Sequence, residues 1–165
     1  MSGYQLAQIN IGRLKAPIDS PEIADFVANL DRINALAESA KGFVWRLQDE
    51  AGNATAIESP FGDGMIVNMS VWADVPSLAD FVYRTAHAEI LKRRREWFER
   101  MDEAYTVLWW VPGGHRPTLD EAALRLASLR EHGPDAYAFT FQKPAPAPDA
   151  TVAAPVREDD ACPAT

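Results

Sequence analysis

Polar and apolar residues alternate along the first stretch of the chain, then recur at helical spacing, then alternate again. Tyr4 to Leu14 (YQLAQINIGRL) reads as a strand. Leu6, Gln8 and Asn10 fall on one of its faces and Ala7, Ile9 and Ile11 on the other, because successive strand side chains point to opposite sides. The Asn10 amide, sharing a face with Leu6, requires hydrogen-bond partners if it is half-buried. Asp19 and Ser20 ahead of Pro21 mark a helix start. Ile23, Phe26, Val27, Leu30, Ile33, Asn34 and Ala37 line one side of that helix, and Gly42 ends it after Lys41. Phe43 to Gln48 is a second strand, and the polar run Asp49–Asn53 turns into a loop carrying Pro60, Gly62 and Gly64. Met65 to Trp72 (MIVNMSVW) alternates clearly, with Met65, Val67, Met69 and Val71 on one face. The opposite face carries Asn68 and Ser70 and ends in Trp72, the pattern of a lined cavity.

Between Val75 and Pro117 the helical pattern changes direction. Leu78, Phe81, Val82 and Thr85 share one face, whereas Tyr83, His87, Ile90, Leu91, Arg94, Trp97, Phe98 and Met101 form a second, rotated stripe. A rotation of that size predicts a bend, or two helices meeting near Tyr83–Ala86. An imidazole and a guanidinium among large aromatics are costly to bury without a partner or ligand, which makes His87 and Arg94 the leading pocket residues. The alternative is a histidine bonded to a backbone carbonyl and an arginine reaching out to water. The basic run Lys92–Arg95 reads as a solvated face with pairs such as Arg95–Glu99.

Tyr105 to Val111 (YTVLWWV) is a fourth strand, closed by Pro112–Gly113–Gly114. Thr118 with Glu121 forms a capping box for a helix running to Arg130, whose buried side carries Leu119, Ala122, Leu126 and Leu129. Tyr137–Phe141 adds an edge strand. The Pro/Ala-rich segment 143–165, which includes Cys162, is expected to be a disordered tail beyond a single domain spanning 1–142. The order strand, helix, strand, strand, helix, strand is that of an α+β ferredoxin-like sandwich, with an extra C-terminal helix and edge strand. Both faces of its sheet are apolar, so two copies pairing sheet to sheet as a homodimer is the economical way to cover the second face.

Composition narrows the function classes. The chain has 165 residues, 47% of them hydrophobic and 24% charged, with a net charge of −8, which argues against a nucleic-acid partner. No apolar run reaches the ~18 residues of a membrane span, and the N-terminus lacks a signal-peptide pattern. One cysteine fits a reducing compartment, so the cytoplasm is the expected location. His87, His115 and His132 are scattered without a carboxylate pattern, so no metal site is expected. His115, between Gly-Gly and Arg-Pro, reads as a turn residue, and His132 as a partner of the helix C-terminus.

RINALAESAKGFVWRLQDEAGNA at 32–54, then IVNMSVWADVPSLADFVYRTAH, RRREWFERM and LWWVPGGHRPT, resemble a bacterial domain-of-unknown-function family grouped with the dimeric α+β barrels, the superfamily of the antibiotic-biosynthesis monooxygenases. The resemblance implies a barrel of two sheets and a monooxygenase-like enzyme acting on an aromatic or enolisable metabolite. Under it, His87, Arg94 and Asn10 would be catalytic, and Asn68, Ser70, Trp72, Tyr83 and Trp97 would bind the small-molecule substrate. His87 would take a proton, and Arg94 or Asn10 would steady the developing anion. No cofactor is expected on this reading. Haem-degrading members place an asparagine, a tryptophan and an axial histidine where Asn10, Trp72 and His87 stand, so a haem protein with His87 as ligand is one alternative. A non-catalytic small-ligand binder is the other.

Overall fold

Four strands and five helices follow from this pattern in a computed structural model that describes residues 3–48, 60–62 and 64–149. The turn expected at Asp49–Asn53, residues 150–165 of the expected tail, and Cys162 lie outside the described residues. Strand β1 (Tyr4–Arg13) leads through a 3-10 turn at Pro21–Ile23 into α1 (Ala24–Ser39). Then come β2 (Phe43–Arg46), β3 (Met65–Trp72), α2 (Val75–Arg84), α3 (His87–Lys92), α4 (Arg94–Trp97), β4 (Thr106–Pro112) and α5 (Leu119–His132). The sheet is antiparallel in the order β2-β3-β1-β4. β1 is central, placing Gln8 opposite Ser70 on one side and Leu108 on the other.

The two sheet faces are built differently. Ala7, Ile9 and Ile11 of β1, with Val67, Met69, Val71, Val107, Trp109 and Val111, form one continuous apolar layer closed by Ala122, Leu126 and Leu129 of α5. This is the face expected to meet a second sheet. Here it is buried within one chain, since the C-terminal helix folds back across it, and the sheet is not closed into a barrel. The dimeric-barrel expectation is therefore overturned. An amphipathic helix of the same chain covers apolar strands without the cost of bringing two molecules together.

The opposite face carries α1 and α2–α4 over two separate apolar clusters. One joins Leu6, Trp72 and Leu108 to Ala37, Leu78 and Phe81. The other, at the far end of the strands, joins Ile23, Phe26, Trp97 and Phe98 with Leu14, Leu30, Ile66 and Ile90 at its margin. Helix α1 spans both, contributing Phe26 and Leu30 to one and Ala37 to the other.

The expected edge strand at Tyr137–Phe141 reduces to one bridge, Leu108 to Phe139, with a hydrogen bond of 2.9 Å in each direction. Beyond it the chain crosses the edge of β4. Trp110 Nε1 donates to the Ala145 carbonyl at 2.8 Å, Ala147 is buried, and the Asp149 carboxylate accepts from the Gly3 amide. The Arg95–Glu99 pair does not form, because α4 ends at Trp97 and Phe98 turns to extended backbone. Glu99 pairs with Arg13 instead. The capping box at α5 is half-formed. Thr118 accepts from the Glu121 amide at 3.1 Å, but the Glu121 carboxylate is held by His115 Nε2 at 3.0 Å. No described helix is long and apolar enough to cross a membrane.

If α5 closes the second face, Leu126→Ala opens a cavity in a packed core and costs about 2–5 kcal/mol in urea unfolding. A cost below about 0.5 kcal/mol, typical of surface positions, would show that this face is not closed by α5.

Candidate functional site

Between the two clusters on the helix-side face, the sheet is polar. Gln8 and Asn10 of β1 lie opposite Ser70 and Asn68 of β3, and all four side chains emerge on that face. Gln8 Nε2 donates to Asn68 Oδ1 and to Ser70 Oγ, each at 2.8 Å. Trp72 Nε1 donates to the same Ser70 oxygen at 2.8 Å. Asn10 Nδ2 reaches Gln8 Oε1 and Asn68 Oδ1 at a longer 3.4 Å. Burial grades along this ladder. Gln8 and Ser70 are 5% and 6% exposed, Asn10 is half-buried, and Asn68 is open to solvent. Solvent thus reaches the middle of a sheet face whose two ends are packed with aromatics.

The wall beside the ladder is the broken helix. The break falls at Thr85, within the span where the rotated stripe predicts it. Thr85 Oγ1 donates to the Phe81 carbonyl at 2.6 Å and accepts from the His87 amide at 3.2 Å. One hydroxyl thus ends α2 and starts α3, with Thr85 itself extended at φ −111°. A side chain inserted into the backbone ladder in this way is an ordinary cause of a sharp bend. Helix α3 then passes from the Phe81 cluster, which His87 touches, to the Trp97 cluster, which Ile90 borders.

His87 is half-buried, its ring 5.0 Å from that of Phe81, which stacks on Trp72 at 5.2 Å. Its Nδ1 lies 3.2 Å from the Val82 carbonyl. A carbonyl can only accept, so Nδ1 carries the proton and Nε2 keeps its lone pair. Among the described residues Nε2 has no partner. Burial pushes the His87 pKa below its usual value, opposed by the Val82 bond, so the ring is neutral at pH 7.

Arg94 stands at the other end of the ladder. Its Nη2 donates to the Ile11 carbonyl at 3.0 Å, beside the last bond between β1 and β4, from the Ile11 amide to the Tyr105 carbonyl at 2.9 Å. The guanidinium lies 4.9 Å from the Phe98 ring and 4.3 Å from that of Tyr105. Gly12, two residues beyond Asn10 on the same face, leaves room for this. A Cβ there would lie 2.5 Å from the Phe98 ring and 3.1 Å from Arg94 Nη2. Burial lowers the Arg94 pKa, opposed by Tyr105, but an arginine remains charged.

Of the residues expected from sequence, Asn10, Asn68, Ser70 and Trp72 come together in one network, with His87 and Arg94 on the helix side at its two ends. Tyr83 and Trp97 do not join them. Tyr83 is 55% exposed and meets Phe141 edge-on, while Trp97 is 2% exposed between Phe26 and Arg93. Gln8, which bonds Asn68, Ser70 and Asn10, was missed. Its signal was its place in register with Asn10, on the polar side of a strand whose other side is apolar.

Haem, implied by the resemblance, would have to touch both Trp72 and His87. The buried Phe81 ring fills the space between them, so the residues present do not fit haem in that arrangement. Among the described residues no group of three or more His, Cys, Asp or Glu could hold a metal ion.

A histidine whose folded pKa is depressed is protonated first in the unfolded chain. Stability therefore falls as pH drops below about 6.5, down to the lower folded value, and is unaffected above it. His87→Asn keeps a donor for Val82 without a titrating ring. It should flatten the decline in unfolding free energy that the parent protein shows between about pH 7 and 5.5, above the range where carboxylates dominate. An unchanged slope would place the imidazole in water.

A search of curated proteins finds no match. Among solved structures, the chain is similar to the NE2512 protein of unknown function from Nitrosomonas europaea, at 14% identity over 70% of this chain and 95% of that one, with a TM-score of 0.43. It is also similar to PA3566 from Pseudomonas aeruginosa, at 15% identity over 72% and 98%, with a TM-score of 0.44. Neither likeness carries an activity to this chain. The monooxygenase-like expectation came with the barrel, and it loses that support once α5 covers the sheet. The family model named domain of unknown function (DUF3291) matches residues 5–155, nearly the whole chain, and the protein belongs to that family.

Proposed function

We propose that this protein binds a small organic molecule in the gap between the two apolar clusters, on the floor formed by Gln8, Asn10, Asn68 and Ser70. The observation that carries this reading is the ladder itself. A self-contained structural network would be sealed by the helices, whereas this one runs from nearly full burial at Ser70 to an exposed amide at Asn68. Apolar walls with a few convergent polar groups are the usual make-up of a small-molecule site. The flanking clusters supply apolar surface, and the ladder supplies orientation.

His87 supports a second, catalytic reading of the same gap. An imidazole with Nδ1–H anchored on a carbonyl, and Nε2 neutral and without a partner among the described residues, is set up to accept a proton from a bound acid. Thr85 and Val82 position it.

Fragment screening by NMR tests the location. Bound fragments should perturb the side-chain NH2 signals of Asn68, Asn10 and Gln8 before others. Asn68→Trp, which fills the gap from an exposed position, should weaken those hits at least tenfold with little loss of stability. Hits that cluster elsewhere and survive Asn68→Trp would sink the proposal. Separately, Gln8→Leu strands the partners of a buried amide and should cost about 1–3 kcal/mol in unfolding free energy.

A further inference from the structure

The donors and acceptors of the ladder do not balance. Gln8 Nε2 spends its two hydrogens on Asn68 Oδ1 and Ser70 Oγ, with the main-chain carbonyl of Asn68 3.5 Å away on the same side. Trp72 Nε1 can only donate, and it too points at Ser70 Oγ. Both lone pairs of that hydroxyl are therefore occupied, and its own proton must be directed elsewhere. Among the described residues it has no acceptor, although Ser70 is 6% exposed. A buried donor without an acceptor loses about 1–3 kcal/mol of solvation unless something supplies one. Asn68 repeats the bias at the open end, where its Oδ1 accepts from Gln8 and Asn10 while its NH2 is free to face outward.

Arg94 brings a positive charge to one end of the ladder. Arg13, Arg46, Arg84, Arg93 and Arg130 each have a carboxylate partner. Arg94 is half-buried with none among the described residues, and it borders the ladder across Gly12. In a chain of net charge −8, an uncompensated cation beside surplus donors marks a place for an anion.

We infer that the molecule bound in the gap is an organic carboxylate, with one oxygen accepting from Ser70 Oγ–H and the other from the Asn68 amide. Ser70 Oγ and Asn68 Oδ1 each lie 2.8 Å from the same Gln8 nitrogen, which makes the hydroxyl and the amide carrying that NH2 neighbours on the floor, placed for one carboxylate to bridge. Its apolar body rests against the Trp72–Phe81 end, and Arg94 supplies positive potential from the other. This rests on the gap being a binding site and adds the chemical class of what fills it.

The test compares phenylacetate, 2-phenylethanol and phenethylamine by NMR titration of the full chain, followed at the side-chain amides of the floor. Phenylacetate should shift Asn68 and Gln8, with the alcohol and the amine at least tenfold weaker. Asn68→Asp, an isosteric change at an exposed position, should reverse the order of phenylacetate and phenethylamine. Ser70→Ala should weaken phenylacetate about tenfold while leaving the alcohol unchanged. If the alcohol or the amine perturbs the floor as strongly as phenylacetate, the carboxylate inference fails and the gap remains a site. If phenylacetate and acetate at tens of millimolar leave the floor signals unmoved while other fragments shift them, the inference is overturned alone. If nothing shifts them, both readings fail.

Discussion

The Ser70 hydroxyl is the point through which this molecule's two kinds of interior are joined. It takes one bond from the amide of the central strand and one from an indole that is itself the base of an aromatic stack. A buried hydroxyl, amide and indole would each lose solvation if left alone. Bonded to one another, they set the strand register and the indole orientation together. Slipping β3 by one residue would put Met69 where Ser70 stands and break three polar contacts at once. Polar groups thus specify the alignment of a sheet whose apolar residues alone would tolerate sliding.

That specification divides the helix-side face. On the α5 side, side chains from three strands and the helix pack without interruption. On the other, the ladder keeps the two aromatic clusters apart, and α1 and α3 bridge between them. Apolar helices cannot close over the ladder without stranding its polar groups, so the exposure of Asn68 follows from the same residues that fix the register.

Much of this was legible in the chain. The alternation of Met65–Trp72 placed Asn68, Ser70 and Trp72 on one face, and the rotated stripe located the helix break to within a few residues. Both are local periodicities, which sequence expresses directly. The destination of α5 was not legible. Leu119, Ala122, Leu126 and Leu129 announce an amphipathic helix, but its apolar side would look the same whether it packed on its own sheet or on a partner's, and the likeness to dimeric barrels favoured a partner. Gln8 was overlooked because one glutamine in a strand is ambiguous until its register with Ser70 is known. Trp97 and Tyr83 lie on the stripe of His87, yet the second break at Arg93 and the Phe141 contact send one into the core and the other to the surface. Glu121 satisfied a capping pattern, but a histidine six residues away competed for its carboxylate.

Thr85 shows how a non-local outcome can hang on a small local choice. A threonine hydroxyl can take the place of a backbone amide at the carbonyl four residues back, and here Thr85 does so on Phe81 while its own backbone turns extended. The new helix must then begin at His87, with Nδ1 close to the end of the old one, where the Val82 carbonyl is free to accept it. The tautomer of the imidazole, and with it the free Nε2, is therefore set by the bend. A straight helix would have spent that carbonyl on its own backbone and left the ring no fixed proton. The break that divides α2 from α3 accordingly does more than turn the chain: it gives the site a histidine in one chemical form.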